Sequence, residues 1–271
     1  MACVVITGGT KGIGKAYAME FLKRSYDVVI TGRDTESLQT VVEECQALQS
    51  GRVLACVCDV NKEADYLRLW HTATEAFGAV DIWINNAAFG HSPIAIERLS
   101  WAQLETVIQI NLMGSMLGSK VAYEAMLKQG HGHIYITLGA GADKRLHPRM
   151  LGYATSKCGL QYFARCLVQE ALNTPVKISM LHPGVTITEG LLRETRQGQK
   201  QMSAAEFKEF ISIINLLGER VETNVPWLVD QMINNQKSGR EITWMTPRRF
   251  LMRLIKSWFV KRDVLTEFGI S

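Results

Sequence analysis

Two side chains near the middle of the chain could do acid–base chemistry together. In the stretch GHIYITLGAGADKRLHPRMLGYATSK, residues 132–157, Tyr153 and Lys157 stand at i and i+4, the spacing that puts both on one face of a helix. A free phenol titrates near 10, so at neutral pH it exchanges a proton usefully only with help. An ammonium group one turn away favours the phenolate, and a shift of about 3 units would correspond to about 4 kcal/mol. Tyrosine and lysine at this spacing are also common on ordinary helices. The pair therefore needs a companion.

That companion is at the N-terminus, where Thr7-Gly-Gly-Thr-Lys-Gly-Ile-Gly14 joins an apolar run to a helical pattern. A dinucleotide's pyrophosphate requires a tight turn, a backbone without Cβ atoms in the way and free N–H groups at a helix start. Gly8, Gly12 and Gly14 supply these in the spacing G-x3-G-x-G, with Lys11 and Ile13 between them. The next apolar run ends Thr31-Gly32-Arg33-Asp34. An acid at that strand tip would grip the ribose hydroxyls of NAD. Arg33 and Lys11 are instead two cations for a 2′-phosphate, so NADPH is favoured over NADH, with Asp34 the nearby residue that argues the other way.

The elements that must position these groups alternate regularly. Short β-branched runs at residues 4–7, 28–31, 53–57, 82–84, 134–137 and 177–181 read as strands. Helical patterns lie at 15–24, 37–48, 62–77, 101–129 and 153–172. Strands with helical crossovers make a doubly wound parallel sheet, an α/β Rossmann fold of one domain. Within it, residues 1–190 are the dinucleotide-binding core, 191–240 a substrate lid and the following helix, and 241–271 a last strand and a closing basic helix.

Composition excludes several alternatives. The chain has 271 residues and a formal net charge of +4, too mild to suggest nucleic acid, and it carries no motif for it. No apolar run reaches the roughly 18–20 residues of a membrane-spanning helix. No leader precedes the first strand, which points to a cytoplasmic protein or a trimmed mature form. The six cysteines sit in apolar or helical patterns and read as buried free thiols, and no metal site is suggested.

Taken together, these motifs resemble the short-chain dehydrogenase/reductase family over roughly residues 1–190. Thr7 to Gly14 is similar to the family's cofactor turn, and Cys58-Asp59-Val60 to its adenine-contacting Asp-Val. Asn85-Asn86-Ala87-Ala88 resembles Asn-Asn-Ala-Gly, with Ala88 a departure. Pro183-Gly184-Val185 followed by Thr188 resembles the Pro-Gly-x3-Thr segment at the nicotinamide. The resemblance implies that Tyr153 protonates the alkoxide as hydride arrives, that Lys157 also holds the ribose, and that Asn111 holds a relay water. It also implies a homodimer or homotetramer, paired through helices 101–129 and 153–172.

One family residue is missing. The serine that polarises the substrate carbonyl should lie about 13 residues before the tyrosine, where counting lands on Ala140 and strand alignment on Gly139. Losing such a donor costs about 10²–10³ in rate. Thr137, Asp143, His147 or the backbone N–H groups of 139–141 are the available substitutes. The segment Gly132–Gly141 and Tyr153–Leu160 also looks like the chlorophyll b reductase branch of the family, which reduces a formyl group on that pigment. This implies an NADPH-dependent reductase of an aldehyde or ketone on a large apolar substrate. The alternatives are a generic oxidoreductase of retinoid, steroid or fatty carbonyls, and a silent NADPH-binding homologue.

The chain closes with RRFLMRLIKSWFVKR, residues 248–262. Phe250, Leu251, Leu254, Ile255 and Trp258 share one helical face, with Arg249, Arg253 and Lys256 opposite. Such a face can pack on the protein body or a partner subunit, or lie as a peripheral contact on anionic membrane.

Overall fold

Strand residues alternate between two cores, and that alternation sets the architecture. In β1 (Cys3–Ile6) all four side chains are inaccessible to solvent; Val4 and Ile6 face one core, Cys3 and Val5 the other. Burial on both faces is what a parallel sheet covered by helices requires. The computed structural model describes residues 1–143 and 145–270.

The sheet adds β2 (Asp27–Gly32), β3 (Val53–Val57), β4 (Ile82–Asn85), β5 (Gly132–Thr137) and β6 (Val176–His182). The helices between them are α1 (Gly12–Lys23), α2 (Thr35–Gln46), α3 (Glu63–Phe77), α4 (Trp101–Ile108), α5 (Ser115–Gln129) and α6 (Leu151–Glu170). A small parallel pair, β7 (Thr186–Ile187) and β8 (Glu219–Arg220), brackets α7 (Glu189–Gln199) and α8 (Ala204–Leu217). The chain continues through α9 (Val221–Ile233), β9 (Glu241–Thr243) and α10 (Pro247–Ser257). The main sheet is parallel, in the order β3-β2-β1-β4-β5-β6-β9. The doubly wound α/β Rossmann architecture expected from the sequence is therefore present. The order reverses between β1 and β4, and the crevice at their C-terminal ends is where such sheets bind ligands.

One core packs α3, α5 and α6 on the sheet through Tyr66, Leu69, Met126, Leu160 and Ala164. The other packs α1, α2 and α9 through Tyr17, Phe21, Val41, Val225 and Leu228. A third, smaller cluster joins Ile187, Leu192, Phe207 and Ile214 of the α7–α8 region to Leu265 and Ile270 of the tail.

Three local expectations are corrected. Residues 101–129 are not one regular helix, because Gln109–Gly114 is a π-helical segment between α4 and α5. Such a bulge shifts helical register and is frequent at functional sites, and here it carries Asn111. The closing helix ends at Ser257, not Arg262, as Trp258, Phe259 and Val260 are poor helix formers and the tail turns to bury Leu265 and Ile270. Arg249 and Arg253 face inward, while Leu251, Met252 and Ile255 on its apolar side are exposed. Finally, four cysteines are buried, but Cys158 and Cys166 lie exposed on α6.

Candidate active site

The glycine turn and the loop after β4 are locked together by one hydroxyl. Thr7 Oγ1 accepts the N–H groups of Asn86 at 2.9 Å and Ala87 at 3.0 Å, and it donates to the Ile84 carbonyl at 3.3 Å. Asn86 Nδ2 returns to the Thr7 carbonyl at 3.1 Å and to that of Gly8 at 3.3 Å. Gly8 has φ +67°, and a Cβ there would lie 2.8 Å from Ala87 Cα, so only glycine lets the turn approach this closely. A Cβ on Gly14 would meet Asn86 Nδ2 at 2.6 Å. Gly12 borders Thr188, and Ile13 packs on the α1–α2–α9 core. Lys11 stands exposed at the N-terminus of α1.

At the tip of β2, the Gly8 N–H donates to Thr31 Oγ1 at 3.2 Å. Arg33 is exposed beside it. Asp34 is engaged elsewhere, since its carboxylate caps α2 by accepting the Ser37 N–H at 2.8 Å and the Ser37 hydroxyl at 2.5 Å. Asp59 is half-buried and accepts the Asn61 N–H at 3.1 Å; Val60 is buried against Gly114. The far wall is the segment from Pro183 to Thr188. Its Pro183 carbonyl and Thr186 hydroxyl accept from Asn224 Nδ2 at 2.9 and 2.7 Å, and the Val185 carbonyl accepts the Glu219 N–H at 2.9 Å. Gly184 has φ +77°, and Thr188 caps the N-terminus of α7.

The catalytic candidates share a second network. Asn111 Oδ1 accepts the Phe89 N–H at 2.7 Å, while Nδ2 donates to the Phe89 carbonyl at 2.9 Å and to Ser156 Oγ at 3.1 Å. Ser156 Oγ in turn donates to the Tyr153 carbonyl at 2.7 Å. Both N–H groups of the amide are thus used in tying the β4 loop to α6, so its side chain is a positioning group here. Lys157 Nζ, fully buried, donates to the Thr137 carbonyl at 2.9 Å and lies 5.8 Å from the Tyr153 ring centre.

This geometry corrects the expected effect of lysine on tyrosine. Burial pushes the Tyr153 phenol above its ordinary value, and the Glu194 charge adds to that. Burial brings Lys157 down to about 8. Desolvation wins because the ammonium is aimed at a backbone carbonyl. A phenol held in its neutral form is an acid, the state needed to give a proton to an alkoxide.

Position 139 is the one that faces the tyrosine. A Cβ built on Gly139 would overlap the Tyr153 hydroxyl, so the choice between Gly139 and Ala140 falls on Gly139. Among the substitutes, Asp143 and His147 pair with each other at 2.9 Å. Thr137 Oγ1 is buried without a partner.

Three further groups were not singled out from the sequence. Glu194 of α7 brings its carboxylate against Gly90, where a Cβ would lie 2.5–2.7 Å from the two oxygens; burial raises its pKa to about 7. His91 is buried beside Gly152 with Nδ1 2.8 Å from the Ser92 carbonyl and Nε2 unpartnered. Asn224, fully buried on an otherwise apolar face of α9, holds the Pro183 segment. A polar residue inside an apolar helical pattern was the only signal for Asn224; nothing near Glu194 in sequence pointed to Tyr153. Among the described residues no cluster of His, Cys, Asp and Glu is arranged to hold a metal ion.

Comparison with known proteins adds four findings. The family model described as short chain dehydrogenase matches residues 2–200. The chain is 32% identical over 272 residues to the "Probable chlorophyll(ide) b reductase NYC1, chloroplastic" of Arabidopsis thaliana, covering 94% of this chain and 53% of that protein. It is 34% identical over 243 residues to the chloroplastic chlorophyll(ide) b reductase NOL of the same plant, covering 87% and 66%. The chain thus spans about half to two thirds of the length of these relatives. Among solved structures, a variant actinorhodin polyketide ketoreductase with NADPH has a TM-score of 0.80 at 22% identity, covering 90% of this chain and 95% of that one.

Proposed function

This chain belongs to the short-chain dehydrogenase family of NAD(P)-dependent oxidoreductases, and we propose that it is an NADPH-dependent reductase of an aldehyde or ketone on a large apolar substrate. The formyl group of a chlorophyll b-type pigment is the first candidate, supported by the similarity to the two plant reductases. Retinoid, steroid and fatty carbonyls are the competing substrates.

The observation that carries the reading is the Tyr153 hydroxyl set against Gly139, with the buried Lys157 one helical turn on and 5.8 Å from its ring centre. The residues present fit a dinucleotide: a turn at Gly8 where a Cβ would collide, and an exposed Arg33 with its acidic neighbour engaged as a helix cap. Gly8 to Gly14 would take the pyrophosphate, Arg33 and Lys11 the 2′-phosphate, Asp59 and Val60 the adenine side, and Pro183 to Thr188 the nicotinamide side. When bound, NADPH supplies the hydride. Tyr153 gives its proton to the substrate oxygen as charge develops there. Lys157 keeps a cationic partner near that oxygen, and Asn111 and Ser156 fix the tyrosine helix against the β4 loop.

The site works without a hydroxyl at position 139, so the tyrosine carries the substrate oxygen with less help than in relatives that keep a serine. The unpartnered Thr137 hydroxyl is the nearest strand residue of the same parity. The pairing expected through α4, α5 and α6 is part of the same proposal; Met113 of the intervening π-helical segment and Tyr162 of α6 are exposed there.

The test is NADPH oxidation by the purified chain across formyl-pigment and lipid-aldehyde panels, with Tyr153→Phe beside it. Turnover lost in Tyr153→Phe, with NADPH binding retained, supports the reductase. Tight NADPH binding with no carbonyl turned over would make the chain a silent binder.

A further inference from the structure

We propose that the segment from Arg248 to Lys261 is a docking surface for an anionic lipid bilayer. The side of α10 that an amphipathic helix usually buries is turned outward here. Leu251, Met252 and Ile255 are 57%, 45% and 46% exposed, and just past the helix Trp258 and Phe259 are 82% and 81% exposed. Positions 251, 252, 255, 258 and 259 fall on one stripe of helical spacing, and the turn runs on through the Phe259 and Val260 N–H groups to the Lys256 carbonyl.

The orientation is built in. Arg253 pairs with the Glu219 carboxylate and donates to the Leu216 carbonyl at 3.1 Å and that of Gly218 at 3.2 Å. Arg262 reaches the same two carbonyls at 3.2 and 3.0 Å. Arg249 is stacked between Trp227 and Trp244, 4.6 and 3.9 Å from their ring centres, and donates to the Trp244 carbonyl at 2.8 Å. Polar anchors thus occupy the inward side, and the helix cannot roll its apolar stripe onto the body without stripping these partners from Glu219 and the end of α8.

Charge selects the occupant. Residues 247–262 contain no acidic side chain, and the basic groups left over from anchoring, Arg248, Lys256 and Lys261, are exposed along the stripe. An apolar stripe with an aromatic pair and a cationic border matches the boundary between acyl chains and anionic headgroups. A second copy fits less well, because two-fold pairing of this face would bring like charges together. Among the described residues no helix is long and apolar enough to cross a membrane, so the segment lies on the surface. α10 packs on α8, and α8 packs on α7, whose Glu194 lies against Gly90 and acts on Tyr153, so a bilayer held here lies two helices from the site.

The experiment is flotation of the full chain with vesicles of phosphatidylcholine plus phosphatidylserine, with vesicles of phosphatidylcholine alone, and without lipid, while mass in solution is measured by light scattering. The expected result is co-flotation with the anionic vesicles, weakened by salt. Trp258→Ser with Phe259→Ser, and separately Lys256→Glu with Lys261→Glu, should each weaken it about tenfold or more. All four side chains are exposed, so melting temperature and turnover of a water-soluble aldehyde should be unchanged. Absence of flotation at low salt overturns the proposal, as does flotation that neither double variant reduces. A dimer that the Trp258→Ser/Phe259→Ser variant splits, in a chain that ignores vesicles, would assign the face to a second copy.

Discussion

The Tyr153 hydroxyl fills the space that a side chain at Gly139 would need. A side chain at 139 requires the phenol to shift from where it stands, at a position where a hydroxyl donor is the family habit. Gly139→Ser should therefore fail to improve the enzyme. Displacing the phenol by about an ångström should lower kcat about 10²-fold, with cofactor affinity little changed. Steady-state kinetics beside NADPH fluorescence titration will check it, and a rise in kcat would show that the phenol tolerates the newcomer.

Cofactor choice should rest on Arg33, because Asp34 is committed to capping α2. Arg33→Ala should weaken NADPH about tenfold or more, the worth of one charge-assisted contact, and leave NADH nearly unaffected. Asp34→Ala should lower the melting temperature through the lost cap, with no change in preference. Equal weakening of both cofactors by Arg33→Ala would remove the basis for preferring NADPH.

Glu194 makes a pH-dependent contribution whose sign is set by burial. Burial raises its pKa from the ordinary 4.5 to about 7, so the folded chain holds a proton that the unfolded chain releases. The stability this contributes is complete below about 4.5 and is lost as pH rises through about 7. Glu194→Gln should then match the wild type in melting temperature near pH 4.5 and exceed it near pH 8. A gap that is constant across this range would mean the carboxyl is not buried as described.

Asn224 should tie stability to cofactor binding. Replacing it by alanine leaves the Pro183 carbonyl and Thr186 hydroxyl without their buried donor, at a cost of about 1–3 kcal/mol. The segment it holds forms the far wall of the site, so the KM for NADPH should rise as well. Denaturant titration and kinetics on the same sample separate the two effects, and an unchanged KM would limit Asn224 to a structural part.

Acid should destabilise the chain through His133. This ring is buried beside Ser179 and Tyr135, and burial lowers its pKa to about 3. An unfolded histidine takes a proton near 6.5, so stability present above that pH is lost as pH falls toward 3, at up to about 1.4 kcal/mol per pH unit. His133→Asn should flatten that slope in urea titrations; an identical slope would place the acid sensitivity elsewhere.

Much of the architecture was legible in the chain because it is written in near neighbours. A short unbroken β-branched run marks Val4, Val5 and Ile6 as strand, the glycines from 8 to 14 mark a turn into a helix, and a four-residue interval puts Tyr153 and Lys157 on one helical face. Each depends on backbone geometry over a few residues. Tertiary structure decided the rest, where the deciding contact joins segments far apart. Only packing shows that Gly139 rather than Ala140 meets the phenol, that burial outweighs the lysine charge at Tyr153, and that Glu194 reaches Gly90. The same holds for α10: periodicity defines its two faces, but Glu219, the carbonyls of Leu216 and Gly218, and two tryptophans determine which one turns to the solvent.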